Sequence, residues 1–300
     1  MIARVKVGVV FPQSELPTDA ASAREFAMGV ERLGFHHFLA YDHVVGADPS
    51  VHVGWRGPYD VDTTFHEPLI LFGFLAGITS MEFATAIIIS PQRQTVLLAK
   101  QAAEVDILSG GRLRLGIGVG WNQVEYEALG QTFESRGVRQ EEQVDLLRRL
   151  WTERAISFDG RFDHLTGAGI SPLPLQRPVP IWLGGRSPAA YDRIGRLADG
   201  WFPLIDLSPE LVTAQRLIVD SAERAGRDAA LIGMEPQVRI DRESNRTLVE
   251  TIGSWREAGA SYVALNSMKL GLKGVSAHLE VLSEAAETLH LDQQGETDLL

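Results

Sequence analysis

Apolar and polar positions along the chain follow two periods in alternation. Residues 4–11 (RVKVGVVF) form a short β-branched run closed by Pro12, which fits a strand buried on both faces. Ala23, Phe26, Ala27, Val30 and Leu33 then recur at helical spacing. Asp19 is placed to cap that helix and Gly34 to stop it. The same order repeats. Further strands are expected at residues 37–41, 83–89, 113–119, 180–183, 200–203, 236–240 and 262–265. Helices are expected at 67–79, 95–109, 138–151, 248–258 and 275–289, and after Ser187-Pro188 and Ser208-Pro209, where serine suits the cap and proline the first turn.

Eight strand–helix units without a break in composition predict an α/β fold, a single (β/α)8 TIM barrel over residues 1–289 with a flexible acidic tail at 290–300. Two connections exceed ordinary loop lengths, residues 42–65 after strand two and 157–179 before strand five. The first follows the carboxyl end of a strand, the face on which such barrels carry their chemistry.

With 45% apolar residues the chain can bury a large core, which excludes disorder and coiled coil. Its 28 basic and 39 acidic residues give a net charge of −11, the wrong sign for neutralising nucleic-acid phosphates. The absence of cysteine excludes disulfides, Cys-ligated zinc, iron–sulfur clusters and thiolate nucleophiles. No apolar run approaches membrane-spanning length, and MIARVKVGVVF lacks the h-region of a signal peptide. A cytoplasmic protein acting on a small molecule is therefore expected, with neither nucleic acid nor membrane as partner.

Common catalytic signatures are missing. Gly116, Gly118 and Gly120 give G-x-G-x-G, but the dinucleotide fingerprint would need glycine at Trp121 or Gln123. There is no P-loop, H-E-x-x-H or G-x-S-x-G. Candidates cluster instead at the ends of expected strands. Asp42-His43 closes strand two, where a titratable pair can exchange a proton with a ligand; the structural alternative is a turn cap beside a satisfied histidine. His36-His37 precede that strand and read as structural. Gly116, Gly118, Gly120, Trp121 and Asn122 end strand four, where glycines admit a flat ring or a phosphate close to the backbone, unless barrel packing alone requires them. Gly184, Gly185, Arg186 and Ser187 bring free N–H groups, a guanidinium and a hydroxyl to a helix start, a phosphate cradle or simply a well-capped helix. Asp42, His43, His66 and Glu67 resemble a metal set, yet strands five to eight offer no clear partner, so no metal is expected.

With these residues in place, the chain resembles the luciferase-like monooxygenase superfamily, in particular its branch using the deazaflavin coenzyme F420. The likeness spans about residues 4–289. It rests on LGFHHFLAYDHV, AIIISPQRQTVLLAKQAAEVDILSGGRLRLGIGVGWNQVEYEALG, PVPIWLGGRSPAA and RLADGWFP. The resemblance implies hydride transfer at a tricyclic ring on the barrel's carboxyl face, with Asp42 and His43 beside the redox centre. It places a non-prolyl cis peptide at Ile87-Ile88 behind the ring. Ser90, Gly118 and Gly120 would contact the cofactor, and Gly184, Gly185, Arg186 and Ser187 its phosphate. Trp121, Asn122 and His66 are expected toward the substrate. Trp121 stands where the sugar-phosphate dehydrogenases carry a glutamate, which puts that substrate class in doubt. The alternative within the fold is an FMNH2-dependent monooxygenase that uses oxygen and a partner reductase. A homodimer packed through barrel helices is also implied.

Overall fold

The computed structural model describes residues 5–240 and 245–291. In chain order, β1 (Lys6–Val10), α1 (Ala20–Arg32), β2 (His37–Ala40), α2 (Pro68–Ala76), β3 (Glu82–Thr85), β4 (Ile88–Ile89), α3 (Thr95–Ser109) and β5 (Leu113–Gly118) form its first half. The second runs α4 (Gln123–Ala128), α5 (Arg136–Thr152), β6 (Ile156–Asp159), β7 (His164–Ala168), β8 (Ile181–Gly185), α6 (Pro188–Leu197), β9 (Gly200–Pro203), α7 (Pro209–Arg224), β10 (Gly233–Met234), β11 (Gln237–Arg239), α8 (Asn245–Glu257), β12 (Tyr262–Asn266) and α9 (Gly274–Leu289).

The main sheet is parallel, in the order β10-β9-β8-β5-β3-β2-β1-β12-β11, with β4 also on β5. Its two ends belong to one strand. Glu235 N donates to Trp201 O at 2.9 Å, while Ala264 N donates to Pro236 O at 3.0 Å, so the segment from β10 to β11 pairs with β9 first and β12 second and closes the ring. Pro236, which has no N–H to offer a ladder, sits at the break. The result is a (β/α)8 barrel in which the closing strand is divided between two neighbours.

Alternation along the strands separates two cores. Val9 and Phe38 face the helices and join Phe26, Phe72, Leu98 and Leu150, while Val10 and Leu39 face inward with Ala84, Trp182, Phe202 and Ala264. The caps read from the sequence form in part: Asp19 Oδ1 accepts from Ser22 N at 2.8 Å and Ser187 Oγ from Ala190 N at 3.2 Å, whereas Ser208 makes no such bond. Among the described residues no helix is long and apolar enough to cross a membrane.

Two expectations need correction. The strand expected at 83–89 is interrupted by a cis peptide at Ala86-Ile87, one bond earlier than the resemblance implies. The insertion at 157–179 is not all loop, because β6 and β7 pair antiparallel within it. Ile156 and Phe158 alternate with Ser157 and Asp159, a strand signal too short to read unaided. Leu291 packs into the outer core, and residues 292–300, on which the rest of the expected tail falls, lie outside the described ones.

Candidate active site

At the carboxyl ends of the strands lies a cavity of about 520 Å³, within the range of small-molecule sites. Ile87, Val119, Trp121 and Phe202 give it apolar walls; His43 and Arg186 stand among its polar groups.

The glycines of β5 and β8 shape one wall. A Cβ on Gly118 would lie 2.6 Å from Ile87 Cδ1, and one on Gly184 3.2 Å from Ile87 Cγ2. Ile87 thus occupies the space both glycines vacate and forms a shelf between the two strands. A Cβ on Gly120 would lie 2.8 Å from Ile89 Cγ2. The clearance that the sequence assigns to an approaching ring belongs to isoleucine side chains, and these glycines also border the cavity. Gly185, where a Cβ would meet that of Ala190 at 2.6 Å, lets α6 approach β8 closely.

His43 is held from several sides. Its Nδ1 lies 3.4 Å from Glu125 Oε2, and its ring centroid is 5.0 Å from Tyr59, 4.8 Å from Phe65 and 5.7 Å from Trp121. Trp55, from the long connection after β2, packs on Trp121 at 5.6 Å. Glu125 Oε1 accepts from Val44 N at 2.5 Å, and Oε2 from Gln92 Nε2 at 3.1 Å. Burial alone would raise the Glu125 carboxyl, but the bonds from His43, Val44 and Gln92 more than offset it and hold it below the usual range. A charged Glu125 on Nδ1 leaves His43 Nε2 as the nitrogen available to a ligand.

Sequence reading missed Glu125. Its spacing from Asn122 is that of a capping box, and Asn122 does cap α4, its Oδ1 accepting from Glu125 N at 3.3 Å. The Glu125 carboxylate, however, turns to His43 rather than back to the cap, which spacing does not reveal.

Asp42 lines the cavity with both oxygens engaged. Oδ1 accepts from Arg93 at 2.7 Å and Oδ2 from Ile89 N at 3.1 Å, while Arg93 also reaches Glu67 Oε1 at 2.8 Å. Burial pushes the Asp42 carboxyl up, and Arg93 and the Ile89 N–H only partly oppose this. The residue ties the end of β2 to β4 behind the shelf. Asp42 and Glu67, half of the apparent metal set, are thereby bridged by an arginine.

Other candidates stand apart from the cavity. Ile88 is buried in the outer core; Ser90 is fully buried, its carbonyl accepting from Gln143 Nε2 at 3.0 Å. Asn122 is a buried cap, His66 packs on Phe11 at 5.9 Å, and Ser187 caps α6. Gly184, Gly185 and Arg186 do border the cavity. Among the described residues no acceptor takes the backbone N–H of Arg186 or Ser187.

Beneath the cavity runs a buried charge network that the sequence did not signal. Glu235 accepts from Arg114 at 2.6 Å and lies 2.6 Å from His37 Nε2, while the Arg114 guanidinium stacks 3.9 Å over Tyr262 and 4.6 Å over Trp182. Burial would raise the Glu235 carboxyl, yet the charges of Arg114 and His37 draw it down to about 2.

The model of the luciferase-like monooxygenase family matches residues 5–262. The chain belongs to this family. It is 29% identical over 260 residues to an FMNH2-dependent dimethylsulfone monooxygenase of Pseudomonas putida, covering 84% of this chain and 68% of the relative. To an F420-dependent glucose-6-phosphate dehydrogenase of Nakamurella multipartita it is 28% identical over 235 residues, 76% of this chain and 66% of that one. The fold matches the structure of an F420-dependent secondary alcohol dehydrogenase with a TM-score of 0.76, at 15% identity over 95% of this chain and 99% of that one. The family is one of oxidoreductases, and the relatives named above are dependent on F420 or FMNH2.

Proposed function

We propose that the protein is an F420-dependent oxidoreductase that transfers hydride between the deazaflavin and a small organic substrate. The observation that carries this reading is the Ile87 shelf, an apolar surface between Gly118 and Gly184 in a cavity that Arg186 also lines, beside two backbone N–H groups without an acceptor among the described residues. A planar ring with an anionic tail fits that arrangement: apolar contact for one, donors and a positive charge for the other. The group would supply the hydride chemistry, and the protein orientation, a dry surface and a proton partner.

In this reading Ile87 and Phe202 orient the ring, and Arg186 with the start of α6 holds the tail. Asp42 fixes the backbone of Ile89 behind the shelf. His43, with Nδ1 against Glu125, presents Nε2 to the substrate oxygen and gives or takes its proton. Trp121, Tyr59 and Trp55 exclude water above it. The exposed apolar side chains of Ile70 and Phe74 on α2 and Leu97 and Leu108 on α3 suit burial against a second copy in a homodimer.

The identity to the dimethylsulfone monooxygenase favours a second reading, reduced FMN with oxygen and a reductase. Binding and turnover with each cofactor separate the two. We expect tight binding of F420 and cofactor-dependent reduction or oxidation of a screened carbonyl or alcohol; oxygen consumption with reduced FMN and no affinity for F420 would replace the first reading by the second.

A further inference from the structure

Beside the ring cavity lies a smaller one of about 230 Å³, which shares Tyr41, Tyr59, Leu204 and Gln237 with it. Its hydrogen bonding is directional. Tyr41 Oη donates to Gln237 Oε1 at 2.5 Å and accepts from Asn266 Nδ2 at 3.1 Å. Gln237 lines both cavities, and with its oxygen so engaged it has its amide N–H groups to offer a ligand.

Among the described residues the charge on the walls has one sign in excess. Arg239 and Lys269 face this annexe, against the carboxylate of Asp206. The Arg239 charge is felt by both tyrosines: burial raises the Tyr41 and Tyr59 hydroxyls, and Arg239 opposes the rise in each. Lys269, three residues beyond the Asn266 that pairs with Arg239, is anchored through its backbone, whose N–H donates to Glu15 Oε1 at 2.7 Å. In a protein of net charge −11, paired cations beside amide donors at the mouth form a local reversal of the field.

We propose that this annexe binds a carboxylate or similar anionic group of the organic substrate, gripped by Arg239, Lys269 and the Gln237 amide. The reacting carbon then lies toward His43, on the Tyr41 and Tyr59 side of the ring cavity. The inference deepens the proposed function and rests on the larger cavity being the ring site. It assigns the substrate to the organic anions, a class for which the uncharged dimethylsulfone is no guide.

Benzoate and benzamide are suitable probes, being flat, similar in size and different in charge. Each is titrated into the cofactor-free protein and followed by the fluorescence of its tryptophans. We expect benzoate to bind at least about tenfold more tightly than benzamide, with a severalfold loss of that preference in Arg239→Gln or Lys269→Gln and its disappearance in the double variant. Equal affinity for the two probes, or a preference that survives in the double variant, overturns the proposal. F420 affinity of the unmodified protein is read separately. A charge preference that follows Arg239 and Lys269 in a protein unable to bind F420 leaves the annexe standing and removes the ring-site reading.

Discussion

His43 Nδ1 faces Glu125 Oε2 across 3.4 Å, joining a residue that follows β2 to one in α4, 82 positions later. The same carboxylate receives the N–H groups of Val44 and Val45, so it fixes both the imidazole and the chain leading into the long connection.

Substituting Glu125→Gln keeps the volume and removes the charge that orients His43. In the proposed function, kcat falls about tenfold to a hundredfold while the dissociation constant for the cofactor changes little; His43→Ala loses about 10²–10⁴-fold in kcat. Unaltered turnover in His43→Ala would take the imidazole out of the mechanism.

Gly118→Ala tests the shelf. Its new methyl, 2.6 Å from Ile87 Cδ1, forces that side chain to move, and the open side is the cavity. Thermal unfolding should shift modestly, whereas cofactor affinity should drop at least about tenfold. A normal affinity would mean the ring does not lie on Ile87.

Glu235→Gln leaves the buried Arg114 guanidinium with the more exposed Glu82, 3.7 Å away, as its remaining counter-charge, which should cost at most about 3–5 kcal/mol in urea unfolding near neutral pH. The pH dependence has a definite sign. With a folded value of about 2 against an ordinary 4.5, the wild-type carboxylate contributes its full stability above pH 4.5 and loses it as pH falls toward 2. Wild-type stability should therefore decline through that window more steeply than that of the variant.

Ile70 and Phe74 are 71% and 42% exposed on α2, a helix without a polar side chain. In sedimentation experiments we expect a dimer for the wild type and a monomer for Phe74→Asp. A wild-type monomer at micromolar concentration would remove the homodimer from the account.

Much of the fold is legible because barrel strands buried on both faces read as apolar runs and the helices between them carry distinct caps. The residues 95–109 read as a helix coincide with α3, and Asp19 caps α1 as its position suggests. What escapes reading depends on contacts far apart in sequence. The division of the closing strand at Pro236 is defined by different partners on its two sides. Ile87 becomes a shelf only because Gly118 and Gly184, remote along the chain, leave it room. His43 could be picked out as titratable at a strand end, but Glu125, which holds it, is marked in the sequence only by a helix-capping pattern. Asn122 and Ser187 read in the sequence as ligand contacts, whereas capping accounts for both side chains.

The most direct test of the central claim is a crystal structure with oxidised F420 soaked in. We expect the deazaflavin across Ile87, between Gly118 and Gly184, with its tail along Gly185, Arg186 and Ser187 and one face open to His43. A cavity left empty at saturating coenzyme, or a ring bound away from Ile87, would contradict it.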